Sequence, residues 1–228
     1  IVAGRVEFDG EVLSEAGEGR LRALRGDRLA YIPQDPMGAL NPVISVGRQM
    51  VNIQYRSGLS RAAKEARAAE MLELVRIPDA RAALGRYPHQ FSGGMRQRVM
   101  IAMALACQPK LLLADEPTTA LDVTTQAQVL DLMKDLVRDT GTALVLITHD
   151  LGIVAEIADW VAVMYAGQII EQASVTNLFE QPLHPYTQGL IDSIPVLGEL
   201  KERLNVIDGV VPNLIGLPPG CRFAPRCQ

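Results

Sequence analysis

The sequence has few cysteines and no long apolar run. Three cysteines in 228 residues are too few for a disulfide scaffold, and this usage suits a reducing cytosol. The longest apolar stretches, residues 143–147 and 160–166, fall well short of the roughly 20 residues that a membrane-spanning helix needs. We therefore expect a soluble protein.

Basic residues are not in excess. The chain has 22 lysines and arginines against 26 aspartates and glutamates, which gives a formal net charge of -4. A charge of this sign does not draw a protein to nucleic acid or to an anionic membrane surface. We therefore expect no nucleic-acid partner, and we expect any attachment to a membrane to run through another protein.

The chain also begins without a methionine. Ile1 is followed at once by an alternating pattern, residues 4–12, which contains an Asp9-Gly10 turn. Such a ribbon is typical of the middle of a sheet. We expect the chain to be a fragment that lacks an amino-terminal piece of its domain.

The patterns that follow alternate between strand and helix. Residues 29–32 predict a short buried strand that ends at Pro33, and a connector rich in glycine, asparagine and proline continues to about Pro42. From Ser60 to about Ile77, apolar residues recur every three or four positions, which predicts an amphipathic helix.

Two continuous apolar runs come next, each after a helix. A helix opened by Ser92 precedes the run at residues 111–114, and a helix from about Thr124 to Arg138 precedes the run at residues 143–147. Two such runs separated by a helix indicate parallel strands that are covered on both faces.

The last third of the chain changes character. After a short helix capped by Asp150, residues 160–165 and 168–171 predict an antiparallel pair that closes the sheet. The α/β core is expected to end near Ala173. Beyond it the chain has too many prolines for much regular structure and is expected to wrap against the domain or a partner.

Polar side chains follow the buried strands, at the edge where open parallel sheets bind ligands. Asp115 could hold Mg²⁺ and Glu116 could orient an attacking water, while His149 could donate a hydrogen bond during phosphoryl transfer. Gln34 could reach the metal and the water. The alternatives are structural. The two carboxylates could simply stabilise the amino-terminus of the next helix by their negative charge, and His149 and Gln34 could have structural roles.

Two glycines open the helix that starts at Ser92. Gly93 and Gly94 leave backbone N–H groups bare at a helix amino-terminus, where the helix dipole favours an anion. This pattern predicts a phosphate seat. The alternative is that Ser92 is only a helix cap and the glycines only a flexible entry.

Together these motifs resemble the ABC transporter ATPases. The motifs of that family occur in its order and at its usual intervals. They are Gln34 (Q-loop), residues 91–98 (signature), residues 111–116 (Walker B), residues 120–122 (D-loop) and His149 (switch histidine). The resemblance implies an α/β fold, an ABC-type P-loop NTPase with a RecA-like parallel-sheet core, an inserted helical subdomain and a proline-rich carboxyl-terminal extension.

The resemblance also implies a division of the chain. Residues 1–34 would be the remainder of the amino-terminal β region with the core strand to the Q-loop, and residues 35–88 the helical subdomain. Residues 89–173 would form the ATPase core and residues 174–228 the extension.

In this family two subunits sandwich two ATP molecules, each held by the phosphate loop of one subunit and the signature of the other. By resemblance Glu116 is the general base, His149 and Gln34 assist catalysis, and Asp115 with Gln34 holds Mg²⁺. The residues implied in contacts with ATP or across the interface are Ser92, Gly93, Gly94, Gln97, Asp115 and Asp122.

One family motif does not occur in these residues. No Gly-x-x-x-x-Gly-Lys-Ser/Thr segment is found, and the family places that phosphate loop upstream of Ile1. We therefore expect the chain by itself to bind ATP weakly and to hydrolyse none at a measurable rate.

Residues 34–42, 184–187 and 211–227 resemble the oligopeptide and dipeptide importer branch. This resemblance implies a second, different ATPase subunit as partner, a permease whose cytoplasmic helix docks on the helical subdomain, and indirectly a solute-binding protein. It also implies a peripheral location on the cytoplasmic face of a bacterial plasma membrane.

Two cysteines lie near the end of the chain. Cys221 and Cys227 supply half of a metal site, and in some relatives more cysteines follow and hold an iron–sulfur cluster. A [4Fe-4S] cluster in the full-length parent and two unligated thiols in a docking loop are both open at this stage.

Three other functions compete with peptide import. The cargo could be nickel, because selectivity in these systems lies mainly in the solute-binding protein and the permease. The chain could be a truncated remnant that docks without hydrolysing ATP. A DNA-associated ABC ATPase would share the signature and Walker B, but the acidic balance of charge weighs against it.

Overall fold

The computed structural model describes residues 4–119, 121–194, 207–217 and 219–227. The chain divides into two units, Ile1–Ile147 and Thr148–Gln228, and each is described by itself. Within the described residues, no helix combines the length and the apolar character needed to span a membrane.

The chain opens with the expected hairpin. Strands β1 (Glu7–Phe8) and β2 (Glu11–Val12) pair antiparallel around Asp9 and Gly10, whose φ angles of 53° and 78° are the two positive values of a type I′ turn. Asp9 pairs with Lys110 at 3.0 Å and with Arg28. These partners, Lys110 first, lower the pKa of Asp9 and tie the turn to the start of the parallel sheet.

Three parallel strands form the sheet of the first unit in the order β3-β4-β5. They are β3 (Leu29–Ile32), β4 (Leu111–Asp115) and β5 (Ala143–Ile147), as the apolar runs predict. The register pairs Ile32 with Ala114 and Asp115 with Ile147, so the carboxyl ends of the strands lie side by side.

The first unit has seven α-helices among its described residues. They are α1 (Glu18–Leu24), α2 (Pro36–Ala39), α3 (Val46–Ile53), α4 (Arg61–Leu74), α5 (Ala80–Ala83), α6 (Gly93–Leu105) and α7 (Val123–Thr140). One continuous buried cluster joins residues of α3, α4, α6 and α7 to the strands. The helical segment after β3 and the sheet therefore share a core.

The expectation that the parallel strands are covered on both faces is wrong for the described residues. Ile32 and Leu112 are fully buried on the face that shares the core with α6 and α7. On the other face the exposed fractions are 55% for Tyr31, 45% for Val145 and 50% for Ile147. Both faces of these strands carry apolar side chains, but the described residues bury one face far more than the other.

The connector after Pro33 contains structure that the sequence analysis did not predict. Pro36 starts the single turn of α2, because a proline fits the first helical position, where no backbone N–H is needed. Helix α3 lies within residues that gave no clear period, since its eight residues are too few to establish one.

The amphipathic helix predicted from Ser60 begins as expected. Ser60 accepts a hydrogen bond from the backbone N–H of Ala63 and caps α4. The helix ends at Leu74, three residues before the expected limit, because Arg76 takes a positive φ of 59°. Ile77 is buried all the same, which accounts for the apolar pattern that continues past the helix end.

The second unit contains α8 (Leu151–Ile157), β6 (Trp160–Tyr165), β7 (Gln168–Ser174), α9 (Val175–Glu180) and α10 (Pro185–Asp192). Strands β6 and β7 pair antiparallel, as expected, and form a two-stranded sheet within this unit. Closure of the parallel sheet by this pair stays a prediction.

The proline-rich region also holds more regular structure than expected. Pro185 occupies the first turn of α10, where it is tolerated, and His184 caps that helix through Nδ1, which accepts from the N–H of Tyr186. The prediction for residues 195–206 lies outside the described residues.

Gly47 marks the tightest contact in the helical segment. Its N–H donates to the backbone oxygen of Leu84 at 2.8 Å, and a Cβ at this position would lie 2.8 Å from both that oxygen and Leu84 Cβ. Gly47→Ala is therefore expected to lower the free energy of unfolding by about 1–3 kcal/mol, since the backbone must shift.

The measurement is a urea unfolding curve followed by circular dichroism. Gly19→Ala is the matched control, because Gly19 lies in α1 with nothing within 4 Å of a Cβ, and its midpoint should stay level or rise. Equal midpoints for both variants would contradict the packing described for Gly47.

Candidate functional site

The carboxyl ends of β3 and β4 bring Gln34 and Glu116 together. Gln34 Nε2 donates to Glu116 Oε2 at 2.8 Å, although 82 residues separate the two in the chain. Thr119 Oγ1 donates to the same oxygen at 2.9 Å. Two donors on one carboxylate oxygen restrain its orientation.

The backbone at Glu116 is unusual. Its φ is 43°, in the left-handed region that non-glycine residues seldom adopt, and its N–H donates to the oxygen of Ile147 at 2.8 Å. The bond to the end of β5 extends the parallel ladder past the strand. Strained residues of this kind cluster at functional sites, where the surrounding structure holds them.

Asp115 receives a hydrogen bond that the sequence analysis missed. Tyr31 lies on the open face of β3, and its hydroxyl donates to Asp115 Oδ2 at 3.0 Å. The hydrogen bond raises the pKa of Tyr31, because loss of the phenolic proton would place a second negative charge beside the carboxylate. Tyr31 thereby orients the carboxylate that is expected to hold Mg²⁺.

The signature segment forms the amino-terminus of α6. Ser92 Oγ accepts from the N–H of Met95 at 3.3 Å, so its side chain caps the helix, and Gly93 and Gly94 are the first helical residues. A Cβ at Gly94 would overlap Thr125 Cγ2, whereas a Cβ at Gly93 would meet Leu121 Cδ2 at an ordinary 3.9 Å. The starts of α6 and α7 are therefore in direct contact.

Asp122 lies at that contact as the cap of α7. Its Oδ1 accepts from the N–H of Thr125 at 3.0 Å, and this bond lowers the pKa of Asp122. The D-loop carboxylate thus stays ionised and exposed while it anchors α7 beside the signature glycines.

Gln97 is placed differently from the expectation. Its side chain is 1% exposed and packs on the buried side of α6, one turn before Ile101. A side chain buried in this way does not reach the surface where a nucleotide would lie, so the structure argues against the expected contact of Gln97 with ATP. The sequence motif alone does not reveal which side of the helix faces the core.

His149 lies between β5 and α8, in the unit that begins at Thr148. Its neighbour Asp150 caps α8 as expected, with Oδ1 accepting from the N–H groups of Gly152 and Ile153. The role of His149 at a phosphate stays a prediction.

The carboxyl-terminal cysteines do not assemble a metal site in the described part of the chain. Cys221 and Cys227 are free and exposed, and Cys221 Sγ lies 3.8 Å from His184 Nε2. No group of three or more histidine, cysteine or acidic side chains suited to a metal occurs among the described residues. An iron–sulfur cluster is not supported.

Two protein families match the chain. Residues 2–119 match the family described as "ABC transporter", and residues 170–228 match "Oligopeptide/dipeptide transporter, C-terminal region". The first match includes β3, β4 and the residues around Glu116. The second includes most of β7, all of α9 and α10, and the described residues up to Cys227.

Known proteins agree with these matches. The oligopeptide transport ATP-binding protein AppD of Bacillus subtilis is 51% identical over 228 residues, covering 100% of this chain and 70% of AppD. A probable peptide ABC transporter ATP-binding protein of Sinorhizobium fredii, y4tR, is 56% identical over 228 residues. The aligned region covers 99% of this chain and 68% of y4tR.

A solved structure shares the fold. The dimeric, post-hydrolysis ATP-binding cassette MJ0796 bound to ADP and Pi superposes with a TM-score of 0.66 at 27% sequence identity. The superposition covers 76% of this chain and 74% of the MJ0796 chain. The parallel sheet, the strand-end cluster and these matches lead to one conclusion: the chain belongs to the ABC transporter family, among the ATP-binding proteins of oligopeptide and dipeptide transporters.

Proposed function

We propose that this chain carries the hydrolytic machinery of an ATPase subunit that powers peptide import through a membrane permease. The observation that carries the proposal is the convergence of Gln34 and Thr119 on one oxygen of Glu116, directly after the strand that ends in Asp115. The names of the relatives, which are oligopeptide or peptide transport ATP-binding proteins, support peptides as the cargo.

Glu116 acts as the general base in this proposal. A carboxylate held by two donors is oriented to accept a proton from the water that attacks the γ-phosphate of ATP. Asp115 and the amide oxygen of Gln34 offer the oxygen ligands that Mg²⁺ prefers, and bound Mg²⁺ neutralises charge on the phosphates. His149 donates a hydrogen bond to the transferred phosphoryl group.

The complete site is composite. Backbone N–H groups of Gly93 and Gly94 at the start of α6 bind the γ-phosphate of an ATP held mainly by a second ATPase subunit. Asp122 links the two sites across the interface. The dimeric state of MJ0796 supports this arrangement, and the partner here is a different subunit.

The remaining partners follow from the importer family. The segment 35–88, which contains α2 to α5, receives a cytoplasmic helix of the permease on the inner face of a bacterial plasma membrane, where the subunit is peripheral. Residues 89–173 form the ATPase core with the strand of residues 1–34, and residues 174–228 form the extension. A solute-binding protein delivers the peptide to the permease.

The 228 residues themselves contain no Gly-x-x-x-x-Gly-Lys-Ser/Thr segment. Without that phosphate cradle we expect the purified 228-residue chain to hydrolyse no ATP above the buffer rate in a phosphate-release assay. Turnover at the rate of the complete gene product would contradict this expectation.

The complete gene product, assembled with its transporter, tests the role of Glu116. Glu116→Gln keeps the size and the acceptor oxygen of the side chain but removes its basicity, so ATP turnover should fall about 100-fold or more while ATP binding persists. Phosphate release and equilibrium ATP binding are the two measurements. Undiminished turnover would show that Glu116 is not the general base. Loss of ATP binding would indicate a structural defect in the variant.

The role of Gln34 in coupling is tested by peptide uptake in vesicles. Gln34→Ala removes the amide that reaches Glu116 from the loop beside the helical segment, so peptide uptake should fall about 10-fold. Gln168→Ala is the control, because Gln168 is an exposed glutamine of β7 in the second unit. Uptake unchanged in the Gln34 variant would argue against coupling through this loop.

A further inference from the structure

Thr119 lies in the turn that follows β4, three residues after Glu116. Its N–H donates to the backbone oxygen of Glu116 at 3.3 Å, and its hydroxyl returns to Glu116 Oε2 at 2.9 Å. The side chain of Thr119 is exposed, in contrast to its buried neighbour Thr118, which is 5% exposed. Burial in the core therefore does not account for the contact of Thr119 with Glu116.

The backbone of this turn is held at several points. Glu116 is bonded to the end of β5, Pro117 and Thr118 are buried, and the N–H of Leu121 donates to the oxygen of Thr118 at 3.0 Å. Thr119 and Glu116 are thus carried by one short, anchored segment. The two residues that make this side-chain contact are three positions apart in the chain.

Gln34 differs in this respect. It reaches the same oxygen from the loop after β3, which leads directly into α2 and the helical segment. Gln34 and Glu116 therefore lie on different segments of the chain, whereas Thr119 and Glu116 lie on the same turn. The hydroxyl of Thr119 therefore donates to Oε2 from the same turn as Glu116, and the amide of Gln34 donates from a separate loop.

We propose that Thr119 is a positioning residue for hydrolysis, which holds the carboxylate of Glu116 in its reactive orientation from within the same turn. This inference rests on the proposed function, in which Glu116 is the general base. Thr119 touches neither nucleotide nor water in this role and acts through Glu116. A hydroxyl donor to a charged oxygen suits the task, because such hydrogen bonds are short and directional.

The test compares two substitutions at Thr119 in the complete gene product, assembled with its transporter. Thr119→Val keeps the branched shape and removes the hydroxyl, and its kcat for ATP should fall about 10-fold with the KM for ATP unchanged. Thr119→Ser keeps the hydroxyl and should retain most of the kcat. Thr124→Val, an exposed threonine at the start of α7, is the matched control and should behave as the unmodified protein.

A second measurement separates positioning from folding. The thermal midpoints of the three variants should agree, and the loss of kcat caused by Thr119→Val should be larger in a Gln34→Ala background, because the other donor to Oε2 is then absent. A kcat for Thr119→Val equal to that of the unmodified protein would overturn the proposal. Equal losses for the valine and serine variants, or a lowered thermal midpoint that matches the loss, would overturn it as well.

The Glu116→Gln variant distinguishes a failure of the role of Thr119 from a failure of the role of Glu116. If Glu116→Gln is inactive and Thr119→Val is fully active, the proposal for Thr119 fails and the proposed function stands. If Glu116→Gln keeps its turnover, the role of Glu116 fails first, and the proposal for Thr119 fails with it.

Discussion

The register of the three parallel strands determines where the functional side chains lie. Pairing of Ile32 with Ala114 and of Asp115 with Ile147 brings the carboxyl ends of all three strands to one edge. The residues that follow each strand therefore lie close together. For this reason Gln34 donates a hydrogen bond to Glu116, and the N–H of Glu116 donates to the oxygen of Ile147. A shift of one residue would turn these side chains to the opposite face.

Helix α6 connects this edge to the rest of the first unit. Its buried side contributes to the cluster that joins α3 and α4 to the strands, and its amino-terminus abuts the start of α7. The signature therefore forms the start of α6, and the D-loop and the helical segment pack against the same helix. A closely packed core has few voids that could absorb a displacement. Movement of one of these parts therefore displaces the others.

Much of this arrangement is predictable from local sequence. The strands and the helices capped by Ser60, Ser92 and Asp150 are marked by apolar runs and caps over a few residues. Helix α3 is not predictable in this way, because its eight residues give no clear period. The contacts of Tyr31 and Thr119 depend on three-dimensional proximity and side-chain direction, which motif matching ignores.

The two signature glycines are unequal in a way that bears on how genetic data are interpreted. Any side chain at Gly94 collides with Thr125, so an inactive Gly94 variant cannot separate a lost phosphate contact from a displaced helix. Gly93 has room for a methyl group. A defect in Gly93→Ala is therefore the more informative phenotype, and a screen that treats both positions alike would overcount residues that touch nucleotide.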